Sequence, residues 1–349
     1  MSERYLILTE GQTHPTPAKL AAGVLRYRPE RVVALLDSAQ AGRDAGELLG
    51  VGYGVPIVAT IQDALPLKPT ALVIGITPAG GRLPQDWRST ILTAMQHGLD
   101  VISGMHTLLG EDEELVAVAK KYGVRLVDLR KSPEVIDVNK CRAQKSATFR
   151  IHTVGTDCNC GKKVTALEID RELRKRGRNT TFIATGQTGI LIDGKGIAMD
   201  HVISDFVSGA AEKLVLENAD YDYLVIEGQG SIVHPLYSGV TLSMLHGFAP
   251  QALILCHQPD RKIMRGTPDM PVPSLKLTLE LVERIAAPVF PAKVVGISLN
   301  LSAFSHEQAG AEIDRVEKEL GLPTTDVIRF GAQKLVDALL QFEKSLRSL

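Results

Sequence analysis

At 349 residues the chain is long enough for two domains, each with its own core. It is 44% hydrophobic and 23% charged with a formal net charge of −1, a globular balance that gives no general attraction to nucleic acid or an anionic membrane. No apolar run reaches membrane-span length, MSERYLILTEG does not read as a signal peptide, and four cysteines (Cys141, Cys158, Cys160, Cys256) do not suggest a disulfide framework, so the expectation is a soluble cytoplasmic protein.

In chain order, strands are expected at residues 5–9, 31–37, 71–76, 100–103 and 124–128, with helices at 18–27, 87–97 and 111–122. This βαβα rhythm predicts a parallel sheet covered on both faces. Asp37 ends the second strand, where a dinucleotide-binding domain keeps its ribose ligand. The first turn, GQTHPTP, lacks G-x-G-x-x-G, so NAD is not expected. Strand-end loops carry Arg82, His106 and Arg130, and Arg82 follows Gly80 and Gly81. A guanidinium there can clamp a carboxylate, although any one of them also reads as a solvated loop charge.

The polar stretch 130–148 predicts a boundary, placed so that residues 1–140 form a Rossmann-like domain and 141–349 a P-loop-containing α/β domain. Strands follow at 150–154, 180–184, 223–226, 252–256, 293–299 and 327–329, with helices at 163–176, 205–218, 273–285, 306–320 and 332–345. The first strand runs into VGTDCNCGKKVT (154–165) and then a helical pattern. A Gly-rich turn between strand and helix cradles phosphate with its amides, and a Gly-Lys ending supplies a point charge. The candidate cradle is Gly155, Thr156, Asp157, Cys158, Asn159, Cys160, Gly161, Lys162, Lys163, Val164 and Thr165.

Two features depart from the usual pattern. Five residues lie between Gly155 and Gly161 where four are usual, and Lys163 stands where a magnesium-binding Ser or Thr is expected. A second lysine suits a polyanion that is bound but not cleaved. Thr165 can offer a hydroxyl only from another face of the helical turn. Cys158 and Cys160 fall at a helix N-terminus, which lowers thiol pKa, but without partners at ligand spacing they read as loop-lining residues.

Further polar groups fall at strand ends. YDYLVIEGQGSIVHP puts Glu227 before Gly228-Gln229-Gly230, with His234 close behind. ATGQTGILI puts Gln187 on a strand-end loop, LCHQPDR does so for His257 and Arg261, and GISLNLS ends at Asn300. Residues 257–273 read as a long binding loop. Polar groups at most carboxyl strand ends of one sheet point to a ligand site.

GTDCNCGK together with VIEGQGS resembles the dethiobiotin synthetase and cobyrinic-acid amidation group of P-loop proteins, which also end a late strand with an adenine-reading Asn, matched by Asn300. Over nearly the whole chain, PAGGRLP, ISGMHTLLGED, GTDCNCGK, GQTGILI, DFVSGAAE, EGQGS and LCHQP resemble the D-glutamate N-acetyltransferase family, long labelled only as a domain of unknown function. The resemblance implies acetyl transfer from acetyl-CoA, as co-substrate, to the amine of an acidic amino acid. The expected roles are a base at Glu227 or His234, donor binding by the loop and Asn300, and substrate contacts from Arg82, Arg130, Gln187, His257 and Arg261. No resident metal is expected. The alternatives are an ATP- and Mg2+-dependent ligase or kinase, with magnesium at Glu227 and Asp157, and a non-catalytic nucleotide sensor. Expected partners are small molecules and further copies of the chain, with no nucleic acid and no membrane.

Overall fold

A computed structural model describes residues 3–76 and 83–348. Its contacts define two compact units, Met1–Ser132 with Ile190–Gly194, and Pro133–Gly189 with Lys195–Leu349.

The first unit holds a parallel sheet of β1 (Tyr5–Leu8), β2 (Val32–Leu36), β3 (Ile57–Val58), β4 (Ala71–Ile74), β5 (Asp100–Ser103) and β6 (Leu126–Asp128), in the order β3-β2-β1-β4-β5-β6. That is the order of a dinucleotide-binding fold, with its reversal between β1 and β4. Every residue of β1 and β4 is buried, as a sheet covered on both faces requires. The helices are α1 (Lys19–Tyr27), α2 (Ala45–Leu49), α3 (Ile61–Ala64), α4 (Trp87–Gln96) and α5 (Glu113–Tyr122). Asp37 is fully buried and accepts hydrogen bonds from Thr13 Oγ1 (2.5 Å) and Ala39 N (3.0 Å), so its carboxylate serves its own turn.

The second unit is also parallel: β7 (Phe149–Gly155), β8 (Thr180–Ile183), β9 (Tyr223–Ile226), β10 (Ala252–His257), β11 (Lys293–Leu299) and β12 (Thr324–Thr325), ordered β12-β11-β10-β7-β9-β8. Its helices are α6 (Lys162–Lys175), the start of α7 (Gln187–Asp193, whose residues from Ile190 on count with the first unit), α8 (Val207–Glu217), α9 (Ser238–Phe248), α10 (Leu275–Ala286), α11 (His306–Leu320) and α12 (Gln333–Arg347). β7 is central, flanked by β9 and β10, and the strand order reverses around it. The loops after β7, β9, β10 and β11 therefore share one edge of the sheet, where open α/β sheets take their ligands. The chain is α/β throughout. No helix among the described residues is long and apolar enough to cross a membrane.

Two expectations are corrected. The last strand is Thr324–Thr325 rather than 327–329, because Asp326 Oδ1 accepts from Ile328 N (2.9 Å) and Arg329 N (3.2 Å) and turns that stretch away from the sheet. Gln187 opens α7 instead of lying on a loop. α9 was not expected, since its residues lack a clear amphipathic period.

Candidate phosphate-binding site

The loop from Gly155 to Lys162 carries two left-handed residues, Asn159 (φ 50°) and Gly161 (φ 109°). Asn tolerates this region and glycine enters it freely, so successive amides can turn toward one centre. No side chain caps the start of α6, which leaves its first-turn amides available to an anion. Lys162 is buried, and its Nζ folds back to donate to Asp157 O (2.7 Å) and Cys160 Sγ (3.6 Å). Lys163 and Val164 are half-buried beside it.

Asp157 is the hub of the site. It is 1% exposed, and its carboxylate accepts from Cys158 N (2.6 Å), Arg261 Nη1 (2.7 Å) and Arg265 N (3.0 Å). Arg261 also donates to Cys158 O (2.6 Å), Asn159 O (3.4 Å) and Gln258 Oε1 (2.5 Å). The segment after β10 is thereby strapped onto the phosphate loop. His234 Nε2 lies 3.4 Å from Asp157 Oδ1 and 3.0 Å from Arg265 O, while His234 Nδ1 accepts from Leu236 N (3.2 Å). That pattern makes Nδ1 the acceptor and leaves Nε2 as the donor. The ring of Tyr237 lies 4.7 Å away.

Asp157, Cys158 and His234 bring potential metal-ligand atoms within 4.8 Å of one another. The donor set does not fit an ion as it stands. Arg261 is already on the carboxylate, the imidazole lone pair takes an amide, and burial followed by the Asp157 charge pushes the Cys158 thiol up. Binding a cation would require the thiolate and a displaced guanidinium. The helix terminus therefore does not activate Cys158. The Cys256 thiol, wholly buried, is pushed up to about 12.

Nearby hydroxyls are also engaged. Thr156 Oγ1 pairs with His257 Nδ1 (2.8 Å), and burial lowers His257 to about 4. Thr165 Oγ1 pairs with Ser298 Oγ (2.7 Å) and receives Cys256 Sγ (3.6 Å). Asn300 stands beside the loop, 4.0 Å from where a Cβ on Gly161 would sit. Its Oδ1 accepts from Ser302 N (3.3 Å).

Glu227 directly follows β9 and is 4% exposed. Its Oε2 accepts from Thr185 N (3.0 Å) and Gly186 N (3.2 Å). Burial raises its pKa, opposed first by the positive charge of Lys163 and then by those two amides. Glycine is required on both sides: a Cβ on Gly189 would lie 2.4 Å from Glu227 Oε2, and one on Gly228 would lie 1.7 Å from Thr153 O. Gln229 Nε2 donates to Thr185 Oγ1 (3.2 Å), locking the two turns together. The Ser231 hydroxyl is buried with no hydrogen-bond partner.

Among the expected residues, the second unit thus joins Asp157, Cys158, Asn159, Arg261 and His234 in one network, and Thr156 with His257 in a contact beside it. Gln187 is buried at the start of α7. Arg130 lies in the first unit, buried, with Nε donating to Gly104 O (2.6 Å). Arg82 falls outside the described residues. Sequence reasoning missed Arg265, Thr185 and Ser298, which carry no motif. For Gln229 the flanking glycines were the available signal.

Fold and loop together define a two-domain α/β protein that joins a dinucleotide-fold sheet to a phosphate-loop domain. The "Domain of unknown function (DUF1611_C) P-loop domain" matches residues 137–336, and the "Domain of unknown function (DUF1611_N) Rossmann-like domain" matches residues 38–132. The chain belongs to this family. It is 40% identical over 343 residues to a D-glutamate N-acetyltransferase of Tritonibacter scottomollicae, covering 96% of this chain and 98% of the relative. It is 38% identical over 336 residues to one of a Pseudoalteromonas species, covering 95% and 97%. A crystal structure of a DUF1611 family protein from Anabaena variabilis superposes with a TM-score of 0.93 at 38% identity, covering 97% of this chain and 99% of that one.

Proposed function

We propose that the chain is an N-acetyltransferase that moves acetyl from acetyl-CoA to the amine of an acidic amino acid, D-glutamate first. Two relatives of that name match nearly end to end. The structural observation that carries the reading is a phosphate loop whose metal-binding hydroxyl is replaced by Lys163 and whose next hydroxyl, on Thr165, is occupied by Ser298. Coenzyme A presents a pyrophosphate and a 3′-phosphate that must be gripped and need not be cleaved. The loop amides, Lys162 and Lys163 suit that task, and Asn300, beside the loop, is the proposed adenine contact.

In the transfer, the amine nitrogen attacks the thioester carbonyl, the C–N bond forms, the C–S bond breaks, and coenzyme A leaves as a thiolate that takes up a proton. The amine must be neutral to attack and must shed a proton afterwards. Glu227 is the proposed base, since burial raises its pKa. His234 has both ring nitrogens engaged and serves to hold the strap in place. The Gly228 amide is already given to Thr153 Oγ1 (2.9 Å), so the amides of residues 229–231 are the proposed donors to the carbonyl oxygen. The expected result is release of free thiol from acetyl-CoA with D-glutamate and not without acceptor. ADP release from ATP with magnesium, and no thiol release, would overturn the reading.

A further inference from the structure

Phosphate-loop proteins commonly hold Mg2+ between the hydroxyl after the loop lysine and a strand-end carboxylate. The residues of this chain do not fit that ion. We infer that the site instead keeps Arg261 on Asp157, carries Lys163 where the metal-binding hydroxyl would stand, and binds its pyrophosphate ligand without a divalent metal.

Four observations converge. The hydroxyl position is Lys163 and the next residue is Val164, so neither can coordinate a metal. Thr165 is 1% exposed and its hydroxyl is bonded to Ser298 at 2.7 Å. Asp157 has its oxygens filled by a guanidinium and two amides, with Arg261 Nη1 at 2.7 Å. Glu227 gives Oε2 to two amides, and Lys163, at the start of the helix packed on β9, sets the largest positive charge against it.

Of the two carboxylates that would otherwise attract a cation, Asp157 is thus already matched by a guanidinium and Glu227 is held by two amides. A divalent ion would have to displace Arg261, and the loop and first-turn hydroxyls of Thr156 and Thr165 are already given to His257 and Ser298. A phosphate, by contrast, meets the loop amides and Lys162 with the local negative charge already neutralised.

The inference rests on the acetyl-donor reading only for the ligand's identity. The test is calorimetric titration of the full chain with CoA, ADP and inorganic pyrophosphate, each in EDTA and in millimolar Mg2+. The expected result is an affinity that changes less than about twofold between the two buffers. Lys163→Ala should weaken it about tenfold, the size of one lost charge–phosphate contact, and Lys163→Arg should recover most of the loss. Ligand-free melting of each variant confirms that it folds, as expected for a half-buried position.

Binding that needs Mg2+, or that no ligand shows in EDTA, overturns the inference. So does Zn2+ binding by the wild type that Cys158→Ser removes. ADP or pyrophosphate binding without metal while CoA fails would leave the metal-free site standing and sink the acetyl-CoA reading. CoA binding only with Mg2+ would do the reverse.

Discussion

His152 should make the second unit acid-labile. It lies on β7 just before the phosphate loop, 1% exposed, its ring 5.7 Å from that of Phe248 and its Nδ1 without a hydrogen-bond partner. Burial brings its pKa from 6.5 down to about 4, against the pull of the Ile226 carbonyl and with a smaller push from Lys162. Above pH 6.5 the ring is neutral in both folded and unfolded chains and contributes nothing to pH dependence. Below it the unfolded chain takes up the proton and the folded chain does not, so stability falls until the folded ring titrates near pH 4. At about 1.4 kcal/mol per pH unit, the loss is about 2 kcal/mol by pH 5 and about 3.4 kcal/mol in full. The assay is amide exchange of the β7 ladder from pH 7.5 to 5, corrected for intrinsic rates, in wild type and His152→Leu. His257, also lowered to about 4 by burial, adds its own slope to both proteins. The difference between them isolates His152, and it should shift by about 2 kcal/mol in favour of the leucine variant between pH 7 and 5, whatever the leucine does to stability at neutral pH. Parallel pH profiles would refute the reasoning.

Gly189→Ala should push Glu227 off the Thr185 and Gly186 amides, because the new methyl would lie 2.4 Å from its Oε2. We expect kcat for acetyl transfer to fall at least about tenfold with a much smaller change in donor KM, and steady-state kinetics decides it. Asp157→Ala would leave Arg261, only 16% exposed, among loop carbonyls without its carboxylate. Removing one partner of such a pair costs about 3–5 kcal/mol when fully buried, so a stability loss somewhat below that is expected in a denaturant titration, together with weaker CoA binding. Alkylation at pH 8 followed by mass spectrometry should label exposed Cys141 first and Cys158 slowly. It should leave Cys256, at about 12 and fully buried, unmodified in the native chain; rapid labelling of Cys256 would contradict its burial.

The parallel strands and the phosphate loop were legible because each announces itself locally, by an apolar run or by a glycine-lysine turn with the right flanks. β3 escaped because it is two residues long and gains its order only by pairing with β2. The failure at 327–329 has a different cause. Three residues with apolar content sit behind an aspartate whose carboxylate captures two of the amides a strand would have used. Side-chain pairing was less legible than position. Asp157 and Arg261 could both be assigned to strand ends, but they lie 104 residues apart, and only the path of the chain after β10 brings the guanidinium onto the carboxylate instead of toward a substrate. His234 is the same case, since its role follows from Leu236 N and Arg265 O, two backbone atoms whose placement no residue type encodes. Lys163 was legible for the opposite reason. A motif fixes which chemistry its position should carry, so a lysine there is already a statement about charge. Arg261 is one arginine among several until the fold supplies its partner. The metal-free reading of the site therefore needs both kinds of information: a departure visible in the sequence at Lys163, and a neutralised carboxylate at Asp157 that only three dimensions provide.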